Sequence, residues 1–185
     1  LENGTVKCWG RKSNGFLGDG TVAYKASPVS VSGLSSASQG NAWNHTCVVE
    51  GGAVKCWGDN YYGQLGDGTT THRSTPVSVS GISTATKVVT GSIHSCAVLS
   101  DKTVKCWGYG SNGQLGNGST NWREVTPVVV SNLTNVKDIA EGYYHSCAVQ
   151  DNGSVSCWGR NYDGQLGDGT TTNRNAPVSV SGITT

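Results

Sequence analysis

His94-Ser95-Cys96-Ala97-Val98-Leu99-Ser100-Asp101-Lys102-Thr103-Val104-Lys105-Cys106-Trp107-Gly108 is a fifteen-residue segment that recurs along the chain. It divides into two short apolar runs, each with a cysteine, around the polar turn Ser100-Asp101-Lys102. That is the pattern of a β-hairpin. The same unit occurs at His45–Gly58 around Gly51-Gly52, and at His145–Gly159 around Asp151-Asn152-Gly153. A half copy, Gly4-Thr5-Val6-Lys7-Cys8-Trp9-Gly10, opens the chain.

The segments between these units repeat as well. Each Cys-Trp-Gly is followed by Gly-x-Leu-Gly, at Gly15–Gly18, Gly63–Gly66, Gly113–Gly116 and Gly164–Gly167. An Asp/Asn-Gly-Thr/Ser turn comes next, then a Pro-Val strand beginning at Pro28, Pro76, Pro127 or Pro177. Each unit of about 50 residues thus holds about four short strands and no helical period, the signature of a β-propeller blade. A solenoid of β-hairpins is the alternative. The blade explains more, because it lets a Trp at one fixed point of every unit pack between neighbouring sheets. It also makes the Leu of Gly-x-Leu-Gly a buried knob beside a close backbone approach. The expected fold is all-β, with propeller-type repeats of four strands per blade. The chain reads as one repeat domain, 1–185, divided into a half hairpin at 1–10, repeats at 11–58, 59–108 and 109–159, and a partial repeat at 160–185.

The succession Gly-Gln-Leu-Gly-Asp-Gly-Thr, Pro-Val, Gly-x-x-His-Ser-Cys-Ala-Val and Val-x-Cys-Trp-Gly resembles the regulator of chromosome condensation repeat, in its bacterial-type form. The resemblance covers essentially the whole chain and implies seven-bladed propellers. Four Cys-Trp-Gly strands stand here against three His-x-Cys strands. About 3.5 to 4 blades follow, roughly half a ring. Open blade ends expose unpaired surface. The chain is therefore expected to be a piece of a longer propeller, to associate with copies of itself, or to close as a small ring.

Six of the seven cysteines flank hairpin turns symmetrically: Cys47 with Cys56, Cys96 with Cys106, and Cys147 with Cys157. Opposed Cβ atoms in a hairpin lie about 4.5–5.5 Å apart, within disulfide reach after a small adjustment. Three cross-strand disulfides are expected, each closing about ten residues for on the order of 2–3 kcal/mol. A ladder of buried thiols is the alternative, and the spacing disfavours zinc. Cys8 is left over, with a partner upstream or on another chain. Disulfides at this density place the protein in an extracellular, cell-surface or periplasmic setting.

The charge balance excludes other classes. A net charge of +1 leaves no footprint for nucleic acid, and no apolar run is long enough for a membrane span. No cofactor, metal or catalytic group is assigned. His45, His94 and His145 are expected to cap backbone groups at blade junctions, and His72 to lie on the surface. Asp19, Asp67 and Asp168 offer one oxygen ligand each where a calcium loop needs several, so they read as turn residues. Trp9, Trp57, Trp107 and Trp158 are expected in the core. Five Asn-x-Ser/Thr sequons begin at Asn3, Asn44, Asn117, Asn132 and Asn152.

The positions that vary between repeats fall where loops project: Trp43, Tyr61, Tyr62, Arg73, Tyr109, Trp122, Arg123, Tyr143, Tyr144, Tyr162 and Arg174. Tyr, Trp and Arg dominate protein-binding hot spots. The expected function is a non-enzymatic interaction or structural module that binds a protein partner or copies of itself. A lectin that stacks aromatics on glycans is the alternative. The resemblance adds a secreted inhibitor or an exchange-factor-like protein binder.

Overall fold

The computed structural model describes residues 4–10 and 14–183. The described residues form strands and no helix: β1 (Lys7–Gly10), β2 (Lys25–Ser30), β3 (Ala37–Ala42), β4 (His45–Glu50), β5 (Ala53–Gly58), β6 (Arg73–Ser78), β7 (Ala85–Thr90), β8 (His94–Leu99), β9 (Val104–Tyr109), β10 (Arg123–Val129), β11 (Val136–Glu141), β12 (His145–Gln150), β13 (Val155–Gly159) and β14 (Arg174–Ser179). They pair into antiparallel sheets in chain order: β3–β6, β7–β10 and β11–β14, preceded by the two-stranded β1–β2.

The sheets are phased differently from the units read in the sequence. Boundaries after Gly58, Gly108 and Gly159 fall at the end of a sheet's third strand, ahead of its fourth. Each sequence unit therefore takes its Pro-Val strand from one sheet and its cysteine hairpin from the next, so the chain stitches neighbouring blades together. Asn3, the first residue of one sequon, lies outside the described residues.

The hairpins pair in the register expected from their turns, with Cys47 opposite Cys56, Cys96 opposite Cys106 and Cys147 opposite Cys157. Each pair is a disulfide, with Cα atoms 4.1, 4.0 and 4.1 Å apart. Such separations belong to the close, non-hydrogen-bonded pairs of an antiparallel ladder. The register against the fourth strand slips beside each tryptophan, between Cys56 and Gly58 and between Cys157 and Gly159. Pro76 and Pro177 sit within those slips, where no ladder donor is required.

The core lies between sheets. Trp57, Trp107 and Trp158 are fully buried. Trp107, from β9, packs among Val49, Val54, Leu65 and Val79 of the preceding sheet and its loops. Its indole N–H donates to the Gln64 carbonyl at 2.8 Å. Trp158 donates to Gln114 O at 2.9 Å and Trp57 to Phe16 O at 3.0 Å. Gly66, at φ +66°, lies so close that a Cβ there would stand 2.8 Å from the Trp107 indole nitrogen. The second glycine of Gly-x-Leu-Gly is thus needed both for its dihedral and for the approach of the next blade.

Trp9 breaks this pattern and corrects the expectation that all four tryptophans are core. It is 61% exposed, and no Gly-x-Leu-Gly loop among the described residues packs over it.

Candidate interaction face

Each sheet ends its first strand in a short loop and its third strand in a long one, and antiparallel order puts both loops on the same face. The long loop after β5 is built around Asn60, which is fully buried. Its Oδ1 accepts from Leu65 N at 2.9 Å, and its amide donates to Thr69 O and Thr71 O, both at 3.1 Å. Asp67 closes the turn by accepting from Thr69 N at 3.0 Å and from Arg73 Nε at 2.9 Å. Burial alone would raise the Asp67 carboxyl, but the bonds from Thr69 and Arg73 outweigh it and hold it below the ordinary range. Asn161, Asp168 and Arg174 repeat the scaffold after β13. The hydroxyl of Thr170 holds Asp168 low, helped by Arg174 against the effect of burial. Arg73 and Arg174 are thus committed to their own loops.

These scaffolds present aromatic rings. Trp43 from the β3–β4 loop meets Tyr143 from the β11–β12 loop, with centroids 6.4 Å apart. In the intervening β7–β8 loop the equivalent position is Ser92, which is buried and accepts from the Asn44 amide at 3.1 Å. Tyr143 packs on Tyr144 at 4.5 Å, Tyr144 on Tyr109 at 6.1 Å, and Tyr109 on Tyr62 at 5.1 Å. From Tyr62 the chain of rings reaches Tyr61 at 4.9 Å and Trp122 at 6.4 Å. Most of these contacts are edge to face, the favoured aromatic geometry. Arg123 stacks its guanidinium 4.1 Å from the Trp122 ring centroid and donates to Tyr61 O at 3.3 Å. Tyr162 stands apart, beneath Arg160 at 5.5 Å. The result is an aromatic arch spanning three sheets. Trp43, Tyr61, Trp122 and Tyr143 are exposed in it, and Tyr62, Tyr109 and Tyr144 are half-buried.

His45 and His94 lie deeper and bond side chains instead of capping backbone, contrary to the sequence expectation. His45 Nε2 bonds Ser95 Oγ of the next sheet at 2.6 Å, and Ser95 in turn donates to Gln64 O at 2.9 Å. A serine hydroxyl can accept from the ring and donate to the carbonyl at once, which a backbone group cannot. Burial, with the charge of His94 adding to it, lowers His45 to about 3, so the ring is neutral. At the next junction His94 Nε2 lies 3.2 Å from Ser146 Oγ and 2.6 Å from Glu141 Oε2. Glu141 is nowhere marked as unusual by the repeat pattern. Its counterpart one sheet earlier is Thr90, which bonds Asn41 Oδ1 at 2.7 Å.

Ser146, His94 and Glu141 do not form a hydrolytic triad. The carboxylate meets the same ring nitrogen as the hydroxyl, whereas a triad places it on the other nitrogen to orient the base. Both ionisable side chains are also sealed from solvent, at 0% and 1%. Among the described residues the group with metal-ligand proximity is Cys96, Cys106 and Glu141, and the first two are joined as a disulfide. Asp19, Asp67 and Asp168 each close a local turn with the Thr two residues on.

A model of the regulator of chromosome condensation (RCC1) repeat matches residues 51–98, 103–149 and 152–185. The chain belongs to the RCC1 repeat family. A second RCC1 repeat model matches residues 85–114 and 136–165. The E3 ubiquitin-protein ligase HERC2 of Homo sapiens is 44% identical over 59 residues, which is 31% of this chain and 1% of that protein. The Mus musculus protein matches equally. Human WBSCR16 superposes with a TM-score of 0.87 at 24% identity, over 98% of this chain and 49% of that one. Yeast RCC1 (Prp20), solved bound to Kap60, gives 0.84 at 22% identity, over 98% and 46%. The chain therefore spans about half the length of these solved RCC1-type propellers, and shares their fold.

Proposed function

We propose that this chain is a non-enzymatic protein-interaction module of an oxidising compartment, extracellular, cell-surface or periplasmic, and that it binds its partner on the aromatic arch. The observation that carries the reading is the unbroken run of rings from Trp43 to Trp122 across three sheets. Clustered Tyr and Trp, flanked by Arg123, have the composition of an interface hot spot. The rings are held by buried scaffolds, so little ordering entropy is lost on binding. Solved propellers of this fold bind proteins: the yeast structure holds Kap60, and a second report on Prp20p names Gsp1p and histones. The three disulfides support the compartment. A glycan platform is less well supported, since neighbouring rings turn edge to face instead of lying coplanar for sugar stacking.

Assembly has its own supporting observation. Trp9 is exposed, and the loop at Gly164 meets nothing that a Cβ would touch. These are the two halves of the junction that Trp57, Trp107 and Trp158 each complete, so further repeats, from the same polypeptide or from a second copy, would supply what each half lacks.

The test is selection of binders from a display library on the disulfide-intact chain, then measurement of each on a Trp43→Ala/Trp122→Ala double variant. Binders should weaken by at least about tenfold, as for loss of hot-spot rings. Failure to enrich any binder, or binders indifferent to the substitutions, would remove the arch as the binding face.

A further inference from the structure

We infer that the β9–β10 loop is a carboxylate receptor, and that the partner segment on the arch is an acidic peptide whose Asp or Glu side chain docks on Arg123. The inference rests on the arch being the binding face and names the chemistry of its partner.

A cation stands six residues after every Asp/Asn-Gly turn: Lys25, Arg73, Arg123 and Arg174. In three loops the turn carboxylate neutralises it. Lys25 lies 3.9 Å from Asp19, Arg73 2.8 Å from Asp67 and Arg174 2.7 Å from Asp168. In the β9–β10 loop the turn residue is Asn117, whose carboxamide carries no charge to hold a guanidinium. Arg123 makes no ion pair with a described residue. It lies instead over Trp122, 4.1 Å from the ring centroid, and its Nη1 donates to Tyr61 O at 3.3 Å. No other N–H of its guanidinium donates to a described residue.

The same loop carries a second exchange. In its neighbours the buried asparagine donates its backbone N–H to a side chain twelve residues on, Asn60 to His72 Nδ1 at 3.0 Å and Asn161 to Asn173 Oδ1 at 2.8 Å. Gly110 and Trp122 occupy those two positions here. Gly110 N donates to the Trp122 carbonyl at 3.1 Å, so the backbone closes the loop and the indole turns outward, 48% exposed. The middle sheet has thus lost the inward lock that the flanking sheets keep, and the residues released are the tryptophan and the cation of the arch.

That pair suits one ligand chemistry. With a face of the guanidinium on the indole, its edge still offers paired N–H groups that match the two oxygens of a carboxylate. The ring holds the group in place, so less rotamer freedom is lost on binding. Acidic side chains in adjoining segments are engaged elsewhere: Asp59 accepts from Tyr61 N at 3.1 Å, and Glu124 from the Asn121 amide at 2.9 Å. A neutral segment laid over the arch would desolvate Arg123 without supplying a counter-charge, which disfavours it.

The experiment is a titration of the disulfide-intact chain with synthetic hexaglutamate, hexaglutamine and hexathymidylate, followed through the indole N–H resonances. Hexaglutamate should shift the Trp122 signal and leave those of Trp57, Trp107 and Trp158 in place. Arg123→Gln should weaken its binding by at least about tenfold, as for loss of a charge-assisted hydrogen bond. Asn117→Asp leaves every arch residue intact, yet should weaken binding by a similar factor, because the new carboxylate draws Arg123 inward as Asp67 draws Arg73. Asn117→Ser, which is neutral and still able to accept from Ser119 N, should bind as the unaltered chain does. Unmoved buried indole signals confirm that the variants are folded. No shift up to about 1 mM hexaglutamate, an equal response to hexaglutamine or hexathymidylate, or binding unchanged in both Arg123→Gln and Asn117→Asp would overturn the inference. Display binders that depend on Trp43 and Trp122 but tolerate Arg123→Gln would overturn it while leaving the interaction face intact.

Discussion

The same Cys-Trp-Gly motif should carry opposite energetic weight at Trp107 and at Trp9. Trp107 is wholly buried between two sheets, against Val49, Val54, Leu65 and Val79. Truncating a fully buried aromatic to alanine costs about 3–5 kcal/mol, from lost transfer energy and the cavity left behind. The hydrogen bond is the smaller share. Gln64 O accepts from the indole at 2.8 Å but also from Ser95 Oγ at 2.9 Å, so the carbonyl keeps a partner when the indole goes. Trp107→Phe should therefore cost about 1–2 kcal/mol, mostly one net hydrogen bond and a small void. Trp9 is 61% exposed and donates to no described residue, so Trp9→Ala should stay within about 0.5 kcal/mol. Guanidinium unfolding followed by circular dichroism, with the disulfides intact, measures all three as shifts in midpoint at constant slope. If Trp9→Ala destabilises as much as Trp107→Ala, or if Trp107→Ala costs less than about 1 kcal/mol, then the packing of tryptophan between blades is not what holds the sheets together.

Stability should fall with acid well above the carboxylate range. His45 is lowered to about 3 from an ordinary 6.5, so its contribution is complete above pH 6.5 and is lost as pH drops toward 3, in the limit by about 5 kcal/mol. A His45→Gln variant should flatten that part of the profile, and an unchanged slope would contradict neutral burial of His45. Glu141→Ala removes the nearer partner of His94 and leaves it the Ser146 hydroxyl at 3.2 Å, and should cost about 1–3 kcal/mol in urea unfolding; a neutral result would show that the pair adds nothing over the Thr90 arrangement. Alkylation of the unfolded, unreduced chain should add one adduct, on Cys8, and reduction first should open the six cysteines of the three disulfides. In the folded chain Cys8 should react slowly, because burial first and Asp19 second raise its thiol. More than one adduct without reductant would refute a hairpin disulfide.

Local features of this protein are readable in its chain because they rest on residues close in sequence. The cysteine pairs lie 9 or 10 residues apart around a turn, so folding the hairpin is enough to oppose them. The Asp-Gly-Thr turns close on bonds from Asp67 to Thr69 and from Asp168 to Thr170. The repeat length and the four-strand unit follow from the recurrence of these short-range signals, and through them the all-β blade.

Tertiary structure decided whatever depends on the next blade. Tyr61 and Arg73 both vary with the loops, yet Arg73 turns inward to Asp67 while Tyr61 joins a chain of rings from three sheets. Trp43 and Tyr143 are a hundred residues apart and meet across the intervening β7–β8 loop. Glu141 finds His94 across a junction. Trp9 and Trp107 share a motif and part ways only through the presence or absence of a covering loop. A periodic sequence specifies the blade from within. Which side chains meet between blades is set by how successive sheets stack, and the aromatic arch exists only in that stacking.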